Sequence, residues 1–549
     1  MLCSIRTWVT LCLAWAAVIA WAHHREMDPD GFSYLQIADH AAHGDIAALI
    51  NAYWSPGYPA MLAVLLALFR PARATSFAFA HLLNYILFAV ATFAFVFFLR
   101  AWSKLIDLSV ELLIPCGFII FLKFGIDWLG IHNCTPDLAV GIVVLLAAGI
   151  VCRIAGGASQ WKFPTLLGIV LAAGYYIKAV VFPLALLLLI VLFLFPPAPR
   201  VSRLAVLFAA AIFAVTSLPL IMLESRVAGR STFGETGRLN YAWYVNGAAG
   251  VQRVALDTQV HLVHPLRRIF DNPVTLEFAT PIQATYPLWY DPYYWSQGIQ
   301  ASFNIRQQIA AMKITLMAYA DMGIDISVLI AAAAVLLATG SGAAWLGKQS
   351  IWLVVWPLGC LAVYSLVHTE SRFLGGFMAV LWTATLSAGL RWTRIVSKGA
   401  ILALIGITLL LPTSFRLALA VGRTIQSVAT PGPTSDMVTA QALRSAGLHD
   451  GDRIAVVGET FEPYYAWIAK LNVVAQVLDP DELSRLSPAD FQNCLAAVER
   501  TGAKALVTMD RPPYSSQIRW QDLPVMLERS STIGGLGPHR FSIYILEQK

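Results

Sequence analysis

About eleven apolar stretches, separated by short polar ones, leave this chain one kind of fold. They fall at about 8–22, 75–99, 109–122, 134–151, 163–177, 179–195, 203–223, 314–339, 350–367, 373–390 and 399–420. A helix rises about 1.5 Å per residue, so some 20 apolar residues are needed to cross a bilayer core. Only 13% of the 549 residues are charged, against about 25% in soluble domains. The expectation is an α-helical polytopic membrane protein with about eleven transmembrane helices. The formal net charge of +6 then belongs mostly to loops and bears on orientation, because Lys and Arg collect on the cytoplasmic side. No basic run with interleaved aromatics points to a nucleic-acid partner. The seven cysteines fit neither a zinc site nor a disulfide framework and read as small apolar residues.

Residues 1–22 could be a cleaved signal, with Ala20-Trp-Ala22 in the A-x-A form, or a retained first span; the retained span is expected. The short segment 57–69, framed by Pro59 and Pro71, is expected at the interface or as a re-entrant piece. Residues 163–195 could be one long tilted helix or two short ones. Two crossings with a turn near Lys178 put Arg153, Lys162, Arg200 and Arg203 on one side and keep an ammonium out of a helix centre, where it would cost about 2.5–3.5 kcal/mol. Arg6, Arg100, Lys104, Lys348, Arg391, Arg394 and Lys398 then share the cytoplasmic face, with Arg70 and Arg73 as exceptions near the outer face.

This topology divides the chain into a membrane domain, 1–430, with extracytoplasmic loops 23–74 and 224–313, and an extracytoplasmic α/β domain, 431–549. A loop as long as 224–313 is usually functional or carries structure of its own. In the C-terminal part, strands are expected at 454–457, 505–509 and 541–546. Helices are expected at 437–446, capped by Ser435 or Asp436 and stopped by Gly447, and at 488–500, capped by Ser487.

Four polar clusters fall at outer ends of spans: Asp28/Asp30, Thr135-Pro-Asp137, Lys178 and His368-Thr-Glu370-Ser-Arg372. Each has two readings. Asp30 is a general base for an acceptor hydroxyl or the N-cap of a helix over 31–43. Asp28 is a weaker base candidate. Thr135-Pro-Asp137 is a helix start or part of a cavity wall. Lys178 snorkels to the interface or meets a lipid phosphate. Arg372 pairs locally with Glu370 or holds a phosphate. His368 has no partner at metal-ligand spacing. The aromatic stripes at 240–247 and 286–295 are interfacial anchors or a sugar platform.

Asp30-Gly-Phe-Ser-Tyr34, Trp54-Ser-Pro-Gly-Tyr58-Pro59, Thr135-Pro-Asp137 and Ser371-Arg372-Phe373-Leu374 occur in an order that resembles the GT-C superfamily of integral-membrane glycosyltransferases. That group includes protein O-mannosyltransferases and the lipid A aminoarabinose transferase. The resemblance covers roughly residues 1–420. It implies a GT-C-like fold and transfer of a sugar from a polyprenyl-phosphate donor to a lipid, glycan or protein acceptor. Transfer would take place at the extracytoplasmic face of a bacterial inner membrane, usually with inversion. It implies Asp30 as the general base, with Asp28 as a second catalytic carboxylate, and Lys178 and Arg372 on the donor phosphate. Tyr34, Tyr58, Asp137 and Glu370, with Trp289, Tyr290 and Asp291 of the long loop, would line the substrate site. No cofactor is expected, although Asp28, Asp30 and Asp137 could ligate a divalent cation as in some relatives. Two departures stand out: Gly31 where many members carry Glu, and Gly375-Gly376 where a Pro often follows. A lipid transporter or flippase is the competing function, disfavoured because no internal repeat is visible and the polar residues gather at one face.

Overall fold

The structure, a computed structural model, describes residues 4–546 apart from 107, 109, 158–160, 198–200, 257–259, 279–281, 283, 340–349, 393–397, 430–431, 459, 510–519, 525, 530–535 and 540. Lys348, Arg200 and Arg394 of the cytoplasmic set lie outside the described residues.

The N-terminal half is built from α1 (Ile5–Ala22), α2 (Pro29–Ala42), α3 (Gly57–Phe69), α4 (Ser76–Ile106), α5 (Val110–Leu122), a π-helical turn (Lys123–Trp128), α6 (Asp137–Ala155), α7 (Lys162–Ile177), α8 (Val181–Leu194) and α9 (Arg203–Ala228). The long loop contributes α10 (Thr236–Asn240), a second π turn (Tyr241–Val245), α11 (Pro287–Tyr290) and α12 (Pro292–Trp295). Then follow α13 (Ile305–Asp325), α14 (Ser327–Thr339), α15 (Trp352–Ser365), α16 (Ser371–Trp392) and α17 (Lys398–Ala429).

The span count corrects the sequence expectation. Among the described residues, six helices are long and apolar enough to cross a membrane (α1, α4, α6, α9, α16 and α17), or seven if the bent pair α13–α14 is one span. The difference from eleven has a physical cause. Segments that read as full spans are broken or short. The chain does break at Lys178, but α7 and α8 have only 16 and 14 residues, about 24 and 21 Å of helix against a core of about 30 Å. The expected span 314–339 is bent by 75° after Asp325. α15, at 14 residues, is also short.

α6 and α16 are the most enclosed of these helices. They approach closely because a Cβ on Gly376 would lie 2.9 Å from Gly141 Cα. Gly141 is four residues below Asp137 and Gly376 four below Arg372, one helical turn in each case. The backbone contact therefore fixes those two side chains beside each other. The Gly375-Gly376 departure from the family pattern is part of this packing: a Cβ on Gly375 would meet Leu129 at 2.7 Å.

The C-terminal part folds on a seven-stranded sheet in the order β1-β2-β4-β3-β5-β9-β6. Its strands are β1 (Arg267–Asp271), β2 (Val274–Glu277), β3 (Arg453–Val457), β4 (Asn472–Val477), β5 (Ala503–Met509), β6 (Gln521–Asp522) and β9 (Phe541–Ile545). β7 (Met526–Arg529) and β8 (Leu536–His539) form a separate pair. β3 is central and runs parallel to β4 and β5, while β9 is antiparallel to β5. The helices between them are α18 (Ser435–Ser445), α19 (Tyr464–Ile468), α20 (Pro480–Ser484) and α21 (Pro488–Glu499). β3, β5 and β9 match the expected strands, and α21 is capped by Ser487 with Pro488 in its first turn, as its sequence requires. α18 starts earlier than expected, because Thr434 Oγ1 accepts from Met437 N and is the cap. β1 and β2 come from the long loop: Thr275 pairs with Val477 and Glu277 with Ala475. The loop is thus woven into the sheet.

Candidate active site

The start of α2 is set by Asp28, not Asp30. Asp28 Oδ1 accepts from Gly31 N at 2.7 Å, capping the helix, with Pro29 in its first turn. Its Oδ2 accepts from Cys134 N, also at 2.7 Å, tying α2 to the loop before α6. Burial, with Asp30 nearby, pushes the Asp28 carboxyl up to about 6 against the two backbone bonds. Gly31 explains the other departure from the family pattern. A Cβ there would lie 2.7 Å from Cys134 Cβ, so a glutamate does not fit.

Asp30, one residue into the first turn, is released from capping and meets Arg372. Arg372 Nη2 donates to Asp30 Oδ2 at 3.1 Å, and its Nε donates to Glu370 Oε2 at 2.7 Å. Its Nη1 lies 3.9 Å from Asp137 Oδ2, beyond hydrogen-bonding distance. Asp137 is only 2% exposed; it accepts from Lys178 Nζ at 2.5 Å and from Thr135 Oγ1 at 3.0 Å. The helix starts at Asp137, so Thr135 serves the carboxylate and not a backbone cap. Lys178 sits at the break between α7 and α8, its Nζ 4.1 Å above the Phe373 ring. Four groups far apart in sequence, Asp30, Asp137, Lys178 and Arg372, are one connected charge network.

The rim is made by Glu370, whose Oε1 is 3.2 Å from His368 Nε2. Burial would raise the Glu370 carboxyl, but the His368 and Arg372 bonds hold it down to about 2. His368 in turn stacks on Tyr244, ring centroids 4.1 Å apart. Tyr244 belongs to the aromatic stripe 240–247 and Phe373 stands beside Arg372 in a motif already noted, though neither is named alone from the sequence. Below the network, Tyr34 packs edge-on against Tyr58 and Trp54, with centroids 5.2 and 4.9 Å away. Burial and the nearby Asp30 and Asp137 push its hydroxyl well above the ordinary tyrosine range. Tyr58 donates to Asn84 Oδ1.

The long-loop residues divide. The Trp289 carbonyl accepts from Ser33 Oγ at 2.7 Å and from Trp54 Nε1 at 3.1 Å, so this segment is fastened to α2. Tyr290 lies against His40, farther along α2. Asp291 caps α12 through Tyr294 N, and burial pushes it up to about 7. No contact joins Asp291 to the Arg372 network among the described residues.

The carboxylates weighed as cation ligands do not fit that use. Asp28 is engaged by two backbone N–H groups, Asp30 by Arg372 and Asp137 by Lys178. Among the described residues no group of three or more His, Cys, Asp and Glu could hold a metal ion. The network instead offers unused donors. Lys178 spends one of its three on Asp137, and Arg372 Nη1 makes no hydrogen bond among the described residues. Asp30 is 27% exposed and is engaged through Oδ2 alone. A base, two cations and an aromatic floor within one partly dry site can accept a proton and stabilise a departing anion.

No family model and no curated protein matches the sequence. Solved structures do. ArnT from Cupriavidus metallidurans in the apo state superposes with a TM-score of 0.53 at 10% identity, over 98% of each chain. The same protein bound to undecaprenyl phosphate gives 0.51 at 11% identity, again over 98% of each. The apo oligosaccharyltransferase of Archaeoglobus fulgidus gives 0.49 at 12% identity, over 92% of this chain and 69% of that one. End-to-end superposition at so low an identity speaks for architecture, and by that architecture this polytopic membrane chain shares the fold of ArnT.

Proposed function

We propose that this chain is a membrane glycosyltransferase that moves a hexosyl or pentosyl group from a polyprenyl-phosphate donor to a lipid, glycan or protein acceptor at the extracytoplasmic face, with inversion. The observation that carries the reading is the meeting of Asp30 with Arg372, 342 residues later, beside the Lys178–Asp137 pair. The undecaprenyl phosphate bound by ArnT supports the donor class.

Asp30 Oδ1 takes the proton of the acceptor hydroxyl. The acceptor oxygen bonds to the anomeric carbon as that carbon's bond to the phosphate oxygen breaks, and the electron pair leaves with the polyprenyl phosphate. The spare donors of Lys178 and Arg372 bear on that phosphate, where charge-assisted bonds in a partly dry site are strong. Asp137 and Glu370 hold the two cations in place. Asp28 is a positioning residue acting through the first turn of α2. Tyr34 and Tyr58 floor the site. The Trp289–Asp291 segment steadies the acceptor side, with Trp289 and Tyr290 lying along α2.

The membrane is a bacterial inner membrane, with the N-terminus cytoplasmic and unit 431–549 outside, carried by a membrane unit, 1–430. Supporting this, α6 and α16 begin at the site and carry Arg153 and Arg391 in their last turns, the arrangement expected of cytoplasmic ends.

The test is Asp30→Asn in purified protein given a polyprenyl-phosphate sugar. Lost transfer with retained donor binding and an unchanged melting temperature is expected. Undiminished transfer removes Asp30 as the base. Mass spectrometry of the polyprenyl-linked sugars that accumulate on deletion identifies the donor.

A further inference from the structure

A second cavity, of about 660 Å³, lies at the seam between α2 and the sheet, away from the Arg372 network. Its size is that of a small-molecule site. Gln36, Asp39, Arg73, Glu277, Arg453 and Trp467 are on its wall. Asp30 and Asp39 are nine residues apart on α2, about 14 Å along the axis, too far for one sugar ring to touch both.

Two features of this wall are unusual. Gln36 is 1% exposed, and its Oε1 accepts from both Thr285 N (2.9 Å) and Tyr286 N (3.3 Å). Those bonds fix which way the amide points, and they leave the buried Nε2 without a partner. A buried amide donor left without a partner is costly, and a ligand acceptor that reaches it offsets that cost. The second feature is charge. Arg73 is matched by Asp39 at 3.2 Å, and Glu277 is paired with Arg267. Arg453 donates to the Thr501 carbonyl at 3.2 Å, and no carboxylate pairs with it among the described residues. The cavity thus carries one uncompensated guanidinium, carboxylate acceptors and an apolar wall at Trp467 and Phe278, with the unused Gln36 amide donor buried in the wall.

We infer that this cavity is a second ligand site and that it takes an acidic saccharide, a sugar ring bearing a carboxylate or phosphate. The anionic group meets Arg453, and ring hydroxyls meet Gln36 Nε2 and the Asp39 and Glu277 carboxylates. This does not depend on the proposed transfer reaction.

The experiment is saturation-transfer NMR on the full chain in nanodiscs with glucuronate, glucose 6-phosphate and glucose as observed ligands and inorganic phosphate as a competitor. Glucuronate and glucose 6-phosphate should bind, and glucose and phosphate should each bind at least about tenfold more weakly. Arg453→Gln and Gln36→Glu, the latter keeping the Oε1 acceptor, should each weaken the acidic sugars about tenfold. Arg453 is exposed, so its variant carries the test if Gln36→Glu does not fold. Equal binding of glucose, full competition by phosphate alone, or wild-type binding by the folded variants overturns the inference. Arg372→Gln should abolish sugar transfer and leave this binding intact, so failure at one site is distinguishable from failure at the other.

Discussion

The Arg372 network and a second cluster around Lys123 are made of the same groups. Lys123, on the π turn after α5, is 2% exposed and bonds Asp127 Oδ2 at 3.1 Å and Asp325 Oδ1 at 2.8 Å. Asp325 Oδ2 accepts from Trp128 Nε1, Asp127 Oδ2 also accepts from Thr413, and Asp127 Oδ1 lies 3.6 Å from Arg416. That cluster joins the bend between α13 and α14 to α17, and its buried ammonium is shared by two carboxylates. In the Arg372 network each cation keeps donors in reserve, and Asp30 keeps an oxygen. The clusters differ in access to solvent: Asp30 and Lys178 are 27% and 23% exposed, Lys123 and Asp127 only 2% each, and the proposed chemistry draws on the accessible set.

The largest expected effect separates the two clusters by what fails. Asp30→Asn should lower turnover by about 10²–10⁴-fold, the usual worth of a general base, without moving the thermal midpoint in detergent. Lys123→Met should do the reverse. It leaves Asp127, which is 2% exposed, with only the Thr413 bond and the Arg416 contact at 3.6 Å, and removing one partner of a buried pair costs up to about 3–5 kcal/mol. Thermal melts should fall, while the surviving folded fraction transfers sugar at the wild-type rate per molecule. If Lys123→Met lowers turnover with stability intact, the contrast between the clusters breaks.

What was legible in the sequence follows the same division. Asp30, Asp137, Lys178 and Arg372 stood out because each interrupts or borders an apolar run, and an expensive residue in such a place needs a reason. Caps were legible where the motif is local, as at Ser487, and misassigned where two acids compete, as at Asp28 and Asp30. The span count failed because composition reports apolar length, while the bend at Ile326 depends on partners elsewhere in the fold; the break at Lys178 was expected, but not that the helices on either side of it are only 16 and 14 residues long. β2 was hidden in the long loop, since its pairing with β4 some two hundred residues later leaves no local periodicity, and β1 joins the sheet through β2. Arg73, unexplained at the outer face, turns out to stack on Trp467 at 4.0 Å and pair with Asp39. Nothing near it in the sequence names either partner. Lys123 also borders an apolar run and was passed over; its partner Asp325 lies some two hundred residues away.

The smallest expected effect sharpens the comparison by pH. Glu370 is held at about 2, below its ordinary 4.5, chiefly by His368 and Arg372 acting against burial. A carboxyl with a depressed folded-state value contributes stability above its unfolded value and loses it as protons bind. Its contribution should therefore be complete above pH 4.5 and fade as pH falls toward 2. The side chain is 41% exposed, so solvent screening limits the gain to about 0–1 kcal/mol. Glu370→Gln should flatten the acid limb of the stability curve over that window and leave the neutral-pH melting temperature nearly unchanged. Because Glu370 also steadies Arg372 through Nε, the same variant should raise the KM for the polyprenyl-phosphate donor more than it lowers kcat. A flattened acid limb with an unchanged KM would assign Glu370 to folding alone and reduce the cation-holding part of the network to Asp30 and Asp137.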